Sequence, residues 1–309
     1  MARLTRREAL AALGGLAFAA TACSDEGRRR SVTAPETLVR GEPLSFNVHP
    51  LGGRFESLQR EALRRLAAPW IRVTLGLVTD VGAARAYLRA APNVLGLVAD
   101  YRLGGINAAE WPDLVEATLQ RNPGVRRAEL LREPQRFNGL SPAQYVRDFL
   151  RPGYERIRER VPGVAVVAAA PINDAQGAPD GFRRMTDAGA DDFCDYRAVH
   201  VNFEDGGAMA AIARATRRPI LVTETGTAAP SQHVRWYADV VPRLRTTLGA
   251  ELVFWYVLLE SPLAGGPVPY NFVGASVIAA DPNAAGQPQG APGSGLYTLL
   301  TGTAQTRHP

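Results

Sequence analysis

Two glutamates stand where short apolar runs give way to polar residues. Glu133 closes "AELLREP", and Glu224 lies in "PILVTETG". A carboxylate between an arginine and a proline at the end of such a run is either a solvated loop charge or an acid that the fold presents to a cleft. If both glutamates face one cleft, they suit glycosidic bond hydrolysis, in which one carboxyl protonates the leaving oxygen and the other acts as nucleophile or base. Polar residues end the other runs too: Asn47 and His49, Arg72 and Thr74, Asp100-Tyr101, Glu129 and Arg132, Asn173-Asp174, His200 and Asn202, Trp255 and Glu260. His49 and His200 raise the question of a metal, but no HxH or HExxH spacing supports one. A Ser-His-Asp hydrolase is disfavoured because no GxSxG occurs. Taken singly, His200 reads as a hydrogen-bonded core histidine and Trp255 as core packing.

Something must bring these residues together. From Leu44 onward eight apolar runs alternate with helical stretches: "LSFNVHP", "WIRVTLGLV", "NVLGLVADY", "AELLREP", "GVAVVAAAP", "YRAVHVNF", "PILVTETG" and "ELVFWYVLL". Nearly continuous Val, Ile and Leu runs suit parallel strands buried on both faces. Between them, "RFESLQREALRRLAA" puts Phe55, Leu58, Ala62 and Leu66 on one helical face. Ser141 and Pro142 make a helix start, with Pro152 expected to end or kink that helix. "SQHVRWYADVVPRLRTTLG" is another helix, and "GLYTLLTG" a last one. Eight strand–helix alternations in one domain, residues 44–309, predict an α/β fold of the (β/α)8 TIM-barrel type, whose active sites lie at the C-terminal strand ends. A doubly wound sheet is the runner-up, weakened by the lack of a glycine-rich phosphate loop after the first run. Glu129 shares strand parity with Glu133, so it is expected to point inward and pair with Arg72.

The chain has 309 residues and a formal charge of +5, and all 35 basic side chains are arginine, a bias expected of a GC-rich genome. The arginines form no basic stripe and accompany no nucleic-acid motif, which argues against a nucleic-acid partner. The start, "MARLTRREALAALGGLAFAATACSDEG", is a charged stretch, an apolar run too short to span a bilayer and small residues leading to Cys23. Residues 1–23 read as a signal peptide, and residues 24–43 as a polar, flexible tether. "TRREAL" resembles a twin-arginine export signal, with Arg6-Arg7 as the pair. "ATAC" resembles a lipobox, which implies lipid attachment at Cys23 and a periplasmic or cell-surface lipoprotein that touches the membrane only through its anchor. Cys194 is then the one free thiol and a packing residue.

"AELLREPQ" is similar to the strand-four motif "WEIWNEPN" of clan A glycoside hydrolases, and "PILVTETG" to the strand-seven motif of that clan. "AVHVNF", "FWYVL" and "NFVGA" extend the likeness over residues 44–300, most closely to family 39 or family 5. The resemblance implies a retaining glycosidase with a carbohydrate substrate and no cofactor or metal. By position Glu133 matches the acid/base, whose task needs a raised pKa, and Glu224 the nucleophile, kept ionised by Arg72. Trp255 would lie under the sugar ring, while His49, His200 and Asn202 would contact hydroxyls or orient the glutamates. The chain departs from the motif at Arg132, where the clan carries an asparagine that meets the sugar 2-hydroxyl. It also has Asn202 for a tyrosine, and Ala128 and Leu131 for tryptophans. Arg132 either binds an anionic group such as a uronic-acid carboxylate or depresses the pKa of Glu133. A barrel that binds a glycan without cutting it is the alternative function.

Overall fold

A computed structural model describes residues 43–49, 53–75, 87, 89–98, 107–171, 177–259 and 276–302. Residues 1–42, with Cys23, lie outside this set, as do Asp100-Tyr101, Asn173-Asp174, Glu260 and "NFVGA".

Eight strands form a closed barrel in sequence order. They are β1 (Ser45–Val48), β2 (Trp70–Leu75), β3 (Asn93–Val98), β4 (Val125–Leu130), β5 (Ala165–Ala168), β6 (Tyr196–Val201), β7 (Ile220–Thr225) and β8 (Ala250–Trp255). Every neighbouring pair is parallel, including β1 with β8. The helices are α1 (Arg54–Arg65), α2 (Trp111–Arg121), α3 (Pro134–Asn138), α4 (Pro142–Tyr145), α5 (Arg151–Arg160), α6 (Gly177–Asp187), α7 (Gly206–Arg214), α8 (His233–Thr246) and α9 (Leu296–Thr301). Among the described residues no helix is long and apolar enough to cross a membrane.

The main core lies between strands and helices, where outward residues such as Ile71, Val73, Leu130, Val199 and Val222 pack. The barrel interior holds a smaller apolar plug of Leu95, Val167, Ala170, Ala198, Leu221 and Phe254. Each fully buried side chain of this kind contributes roughly 1.5–3 kcal/mol. The larger outer layer therefore carries most of the hydrophobic stability, leaving the barrel mouth free to hold charge.

Two local features depart from expectation. β4 begins at Val125, three residues before the apolar run, because the charged Arg127 belongs to the strand. Its guanidinium lies 4.5 Å from the Trp70 ring and 4.0 Å from the Tyr196 ring, and it reaches Glu251 at 2.6 Å. Two aromatic faces and a carboxylate thus offset its burial. The helix begun at Ser141, which has a full capping box with Gln144, does not end at Pro152. A π-helical stretch, Val146–Leu150, joins α4 to α5 directly ahead of the proline. Its wider turn accommodates the ring and the missing N–H, which would break a regular α-helical ladder. Cys194, as expected of a packing residue, is buried just before β6, and burial pushes its thiol up to about 12.

Candidate active site

β4 stops at Leu130, so Glu133 does not reach the interior by strand parity with Glu129. Leu131 (φ 70°) and Glu133 (φ 39°) are both left-handed, a conformation that is costly for residues other than glycine. The surroundings enforce it. Leu131 is buried and its N–H donates to the Val98 carbonyl at 2.8 Å. Tyr145 donates to the Leu130 carbonyl at 2.9 Å and accepts from the Ala169 N–H at 2.8 Å, clipping together the ends of β4 and β5. Pro134 then opens α3, with Glu133 as its N-terminal neighbour.

Glu224 also reaches the interior through an irregularity. The β7 ladder slips against β8 between Val222 and Thr225, and against β6 between Val199 and His200. Thr225 turns outward, its hydroxyl donating to the Val201 carbonyl and accepting from the Trp236 indole. Bulges of this kind recur beside active sites because they re-aim a side chain.

The two glutamates meet at the mouth of the barrel, both almost fully buried. A Glu133 oxygen, a Glu224 oxygen and a His200 ring nitrogen lie within 4.8 Å of one another. His200 stands between the carboxylates, with Nδ1 2.7 Å from Glu133 Oε1 and Nε2 3.5 Å from Glu224 Oε1. Arg72 donates to Glu129 through Nε and Nη2 (2.7 and 3.1 Å) and through Nη1 to Glu224 Oε1 at 2.9 Å. Arg132 donates to Glu224 Oε2 at 3.0 Å. Both oxygens of Glu224 thus accept from a guanidinium, and Glu129 is held by Arg72 as its inward position suggests.

Burial alone would raise the pKa of Glu224, but the charges of Arg132, His200 and Arg72 outweigh it and bring it to about 2. It is ionised at any ordinary pH, as a nucleophile must be. Glu133 departs from the raised value that an acid needs. Burial pushes it up, with Glu224 adding to that effect, yet the hydrogen bond and charge of His200, helped by Arg132, hold it below the usual glutamate range. The depression comes chiefly from His200 rather than Arg132.

Asn47 and Gln59 are supports that no motif marks. Asn47 accepts from Arg72 Nη1 at 2.8 Å and donates to the Thr223 carbonyl at 2.8 Å, joining β1 to β7 across the guanidinium. Gln59, fully buried on α1, donates to the carbonyl of His49 at 3.0 Å. His49 lies against Tyr256, with ring centroids 5.9 Å apart. Burial, and then the positive charge of Arg132, lower its imidazole to about 4. Asn202 follows His200 on the same face, and neither atom of its buried amide has a partner in the protein. Such a group is able to receive a polar ligand.

Trp255 does not belong to this site. It is fully buried in the outer core, edge-on to His233 of α8 at 5.1 Å, and packs on Gly226. In β8 Phe254 points inward and Trp255 outward, so the aromatic at the mouth is the next residue, Tyr256, 5.6 Å from the Arg132 guanidinium.

Glu133, His200 and Glu224 have the donor types of a metal site. A divalent cation there would sit beside the two guanidiniums that already neutralise Glu224, so the charge balance opposes one.

The depressed His49 carries a prediction. A folded-state value near 4 against an ordinary 6.5 favours folding fully above pH 6.5, and that advantage is lost as pH falls toward 4. Urea unfolding at pH 7 and pH 5 should show a loss of about 1 kcal/mol, below the unscreened linkage value because the ring is partly exposed. His49→Gln should lack this share of the loss. An equal loss in both proteins would show that another group titrates.

No protein-family model matches the chain, and no curated protein matches its sequence. Solved structures do match. A family 39 glycoside hydrolase from Bacteroides cellulosilyticus WH2 is similar over 84% of this chain, with a TM-score of 0.60 and 16% identity; the match covers 63% of that protein's length. The catalytic domain of a mannanase from Streptomyces sp. SirexAA-E is similar over 85% of this chain and 87% of its own, with a TM-score of 0.57 and 14% identity. A family 51 α-L-arabinofuranosidase from Bifidobacterium longum matches 85% of this chain and 72% of its own, with a TM-score of 0.56 and 10% identity. At such identities the likeness is one of fold: the chain is a closed, parallel (β/α)8 barrel of the architecture these glycoside hydrolases share.

Proposed function

We propose that the chain is a retaining glycoside hydrolase, with Glu224 as nucleophile and Glu133 as acid/base, exported by the twin-arginine route and lipid-anchored at Cys23. The observation that carries the catalytic reading is the approach of the two buried carboxylates, with oxygens within 4.8 Å. That approach fits the carboxyl spacing of about 5–5.5 Å in retaining enzymes better than the about 6.5–9.5 Å of inverting ones. The barrels of glycoside hydrolases that share the fold support a carbohydrate substrate.

In the first step Glu224 attacks the anomeric carbon, the carbon–oxygen bond to the leaving group breaks, and the leaving oxygen takes a proton from Glu133. In the second, water attacks the same carbon, gives its proton to Glu133 and releases Glu224. His200 holds Glu133 below the usual glutamate range, so the acid role requires the developing charge on the leaving oxygen to draw a proton onto Glu133. Asn202 and His49 line the same mouth and are placed to meet sugar hydroxyls.

Glu133→Gln should lower kcat by about 10²–10⁴-fold on glycosides with poor leaving groups. The loss should be far smaller on a dinitrophenyl glycoside, whose phenolate departs without a proton. Equal losses on both would remove Glu133 from the acid role. A second reading, a glycan-binding barrel that does not cut, is favoured by the hydrogen bonds on both Glu224 oxygens, which weaken it as a nucleophile.

A further inference from the structure

Arg132 is the feature that the catalytic scheme leaves unused. It immediately precedes the acid, and its Nη2 caps Glu224 Oε2 at 3.0 Å. A guanidinium here has two consequences. It draws electron density from one oxygen of Glu224, and it places a cation at the barrel mouth with its side chain still 14% exposed. Its approach to Glu224 is not enforced by a rigid ladder, since Arg132 lies beyond the end of β4 between two left-handed residues.

The surroundings of Arg132 fit a sugar bearing an anion. Its guanidinium carbon lies 5.3 Å from the Phe137 ring and 5.6 Å from that of Tyr256. Phe137, on α3, is 39% exposed and is the one exposed large hydrophobic side chain among the described residues. Arg136 flanks the same ring from its other neighbour position, also at 5.3 Å, and reaches Glu133 Oε2 at 3.3 Å. An apolar ring bordered by two guanidiniums, directly beside the acid that protonates the leaving oxygen, matches a pyranose with an apolar face and a carboxylate at its edge.

Charge decides between substrate classes. Removing Arg132 from Glu224 costs a charge-assisted hydrogen bond, roughly twice as strong as a neutral one. A neutral sugar offers only hydroxyls, which do not match what is lost, so Arg132 stays on the nucleophile. A carboxylate offers the same bond that Glu224 gave up, and the exchange is nearly even.

We propose that Arg132 is an exchangeable latch: it caps Glu224 and transfers to the carboxylate of a uronic-acid substrate, so that the anionic group selects the sugar and frees the nucleophile. Arg132 is therefore a specificity-determining residue, and this assignment rests on the glycosidase reading for its catalytic half but not for its binding half.

The test combines binding and turnover. Calorimetry would compare glucuronate, galacturonate and mannuronate with glucose, galactose and mannose on the native protein and on Arg132→Asn. Nitrophenyl uronides and the matching neutral glycosides would be compared on the same two proteins. The latch predicts at least about tenfold tighter binding of one uronate than of its neutral counterpart, abolished in Arg132→Asn. It also predicts that this variant loses uronide turnover and gains turnover of the neutral glycoside. Arg132→Lys, with the charge but not the fork, should keep part of the preference, a result that a purely structural role would not give. Neutral glycosides cleaved by the native protein, with no uronate preference, would overturn the latch while leaving the glycosidase standing. Uronate binding that depends on Arg132, without cleavage of any glycoside, would overturn the glycosidase while leaving the recognition standing. Should Arg132→Asn fail to fold, absence of a uronate preference in the native protein alone would still overturn the proposal.

Discussion

Glu224→Gln is expected to lower kcat/KM by at least about 10⁴-fold while leaving the fold intact. Glutamine keeps the shape of the side chain and can still accept from one of Arg72 and Arg132 through its amide oxygen. It lacks the negative charge that the proposed mechanism brings to the anomeric carbon, and its amide nitrogen would face one guanidinium, an unfavourable donor–donor contact. Substrate affinity should change much less than turnover, because the loss falls on a bond made only on the way to the transition state. The native enzyme, incubated with a 2-deoxy-2-fluoro glycoside carrying a good leaving group, should gain the mass of the sugar on the peptide that contains Glu224, and Glu224→Gln should gain none. Binding of glycan unchanged in Glu224→Gln, with neither label nor turnover in the native protein, would establish the binding barrel instead.

Arg72→Met is expected to be the most destabilising change at the site, by about 3–5 kcal/mol, on the order of 10 °C in Tm. Arg72 is buried and bonds Glu129, Asn47 and Glu224 at once. Methionine fills much of its volume but leaves Glu129, which is fully buried, with no cation beside it. The cost is that of a stranded charge rather than the net value of the pair, and this makes a sharp check possible. Arg72→Met combined with Glu129→Leu should recover most of the loss, because an apolar pair of similar volume replaces the ion pair. Thermal melts of the two single variants and the double would read this directly. If the double variant is as unstable as the sum of the singles, the pair contributes through geometry that apolar side chains cannot replace.

Much of this architecture is legible in the residues. Strands buried on both faces must be apolar throughout, so each appears as a run that polar residues interrupt only at its ends. That contrast reveals the eight strands, places Glu133 and Glu224 at the ends of the fourth and seventh, and makes an Arg72–Glu129 pair the reasonable partner choice for two inward charges. β4 is the exception that explains the rule: Arg127 is held by the Trp70 and Tyr196 rings, and nothing local distinguishes such an arginine from one in solvent. The support roles of Asn47 and Gln59 were equally silent: Asn47 stands at a strand end but works on the Thr223 carbonyl far along the chain, and Gln59 looks like any polar helix residue although it holds the His49 carbonyl.

The order, number and direction of the strands, and the pair of carboxylates at their ends, are determined by the sequence itself, because burial dictates residue type over short spans. Which way a side chain points near a strand end was decided only in the tertiary structure. There the alternation is reset by left-handed residues at Leu131 and Glu133 and by the slip in β7, which bring Glu133 and Glu224 inward, while ordinary alternation in β8 leaves Trp255 facing the helices, with Tyr256 the aromatic beside Arg132. Proton affinity was decided there too. Burial would raise the pKa of both glutamates; His200 at 2.7 Å from Glu133 and two guanidiniums on Glu224 reverse the sign. Coulomb and hydrogen-bond energies depend on separations of a few ångströms, and those are set by long-range packing rather than by spacing along the chain.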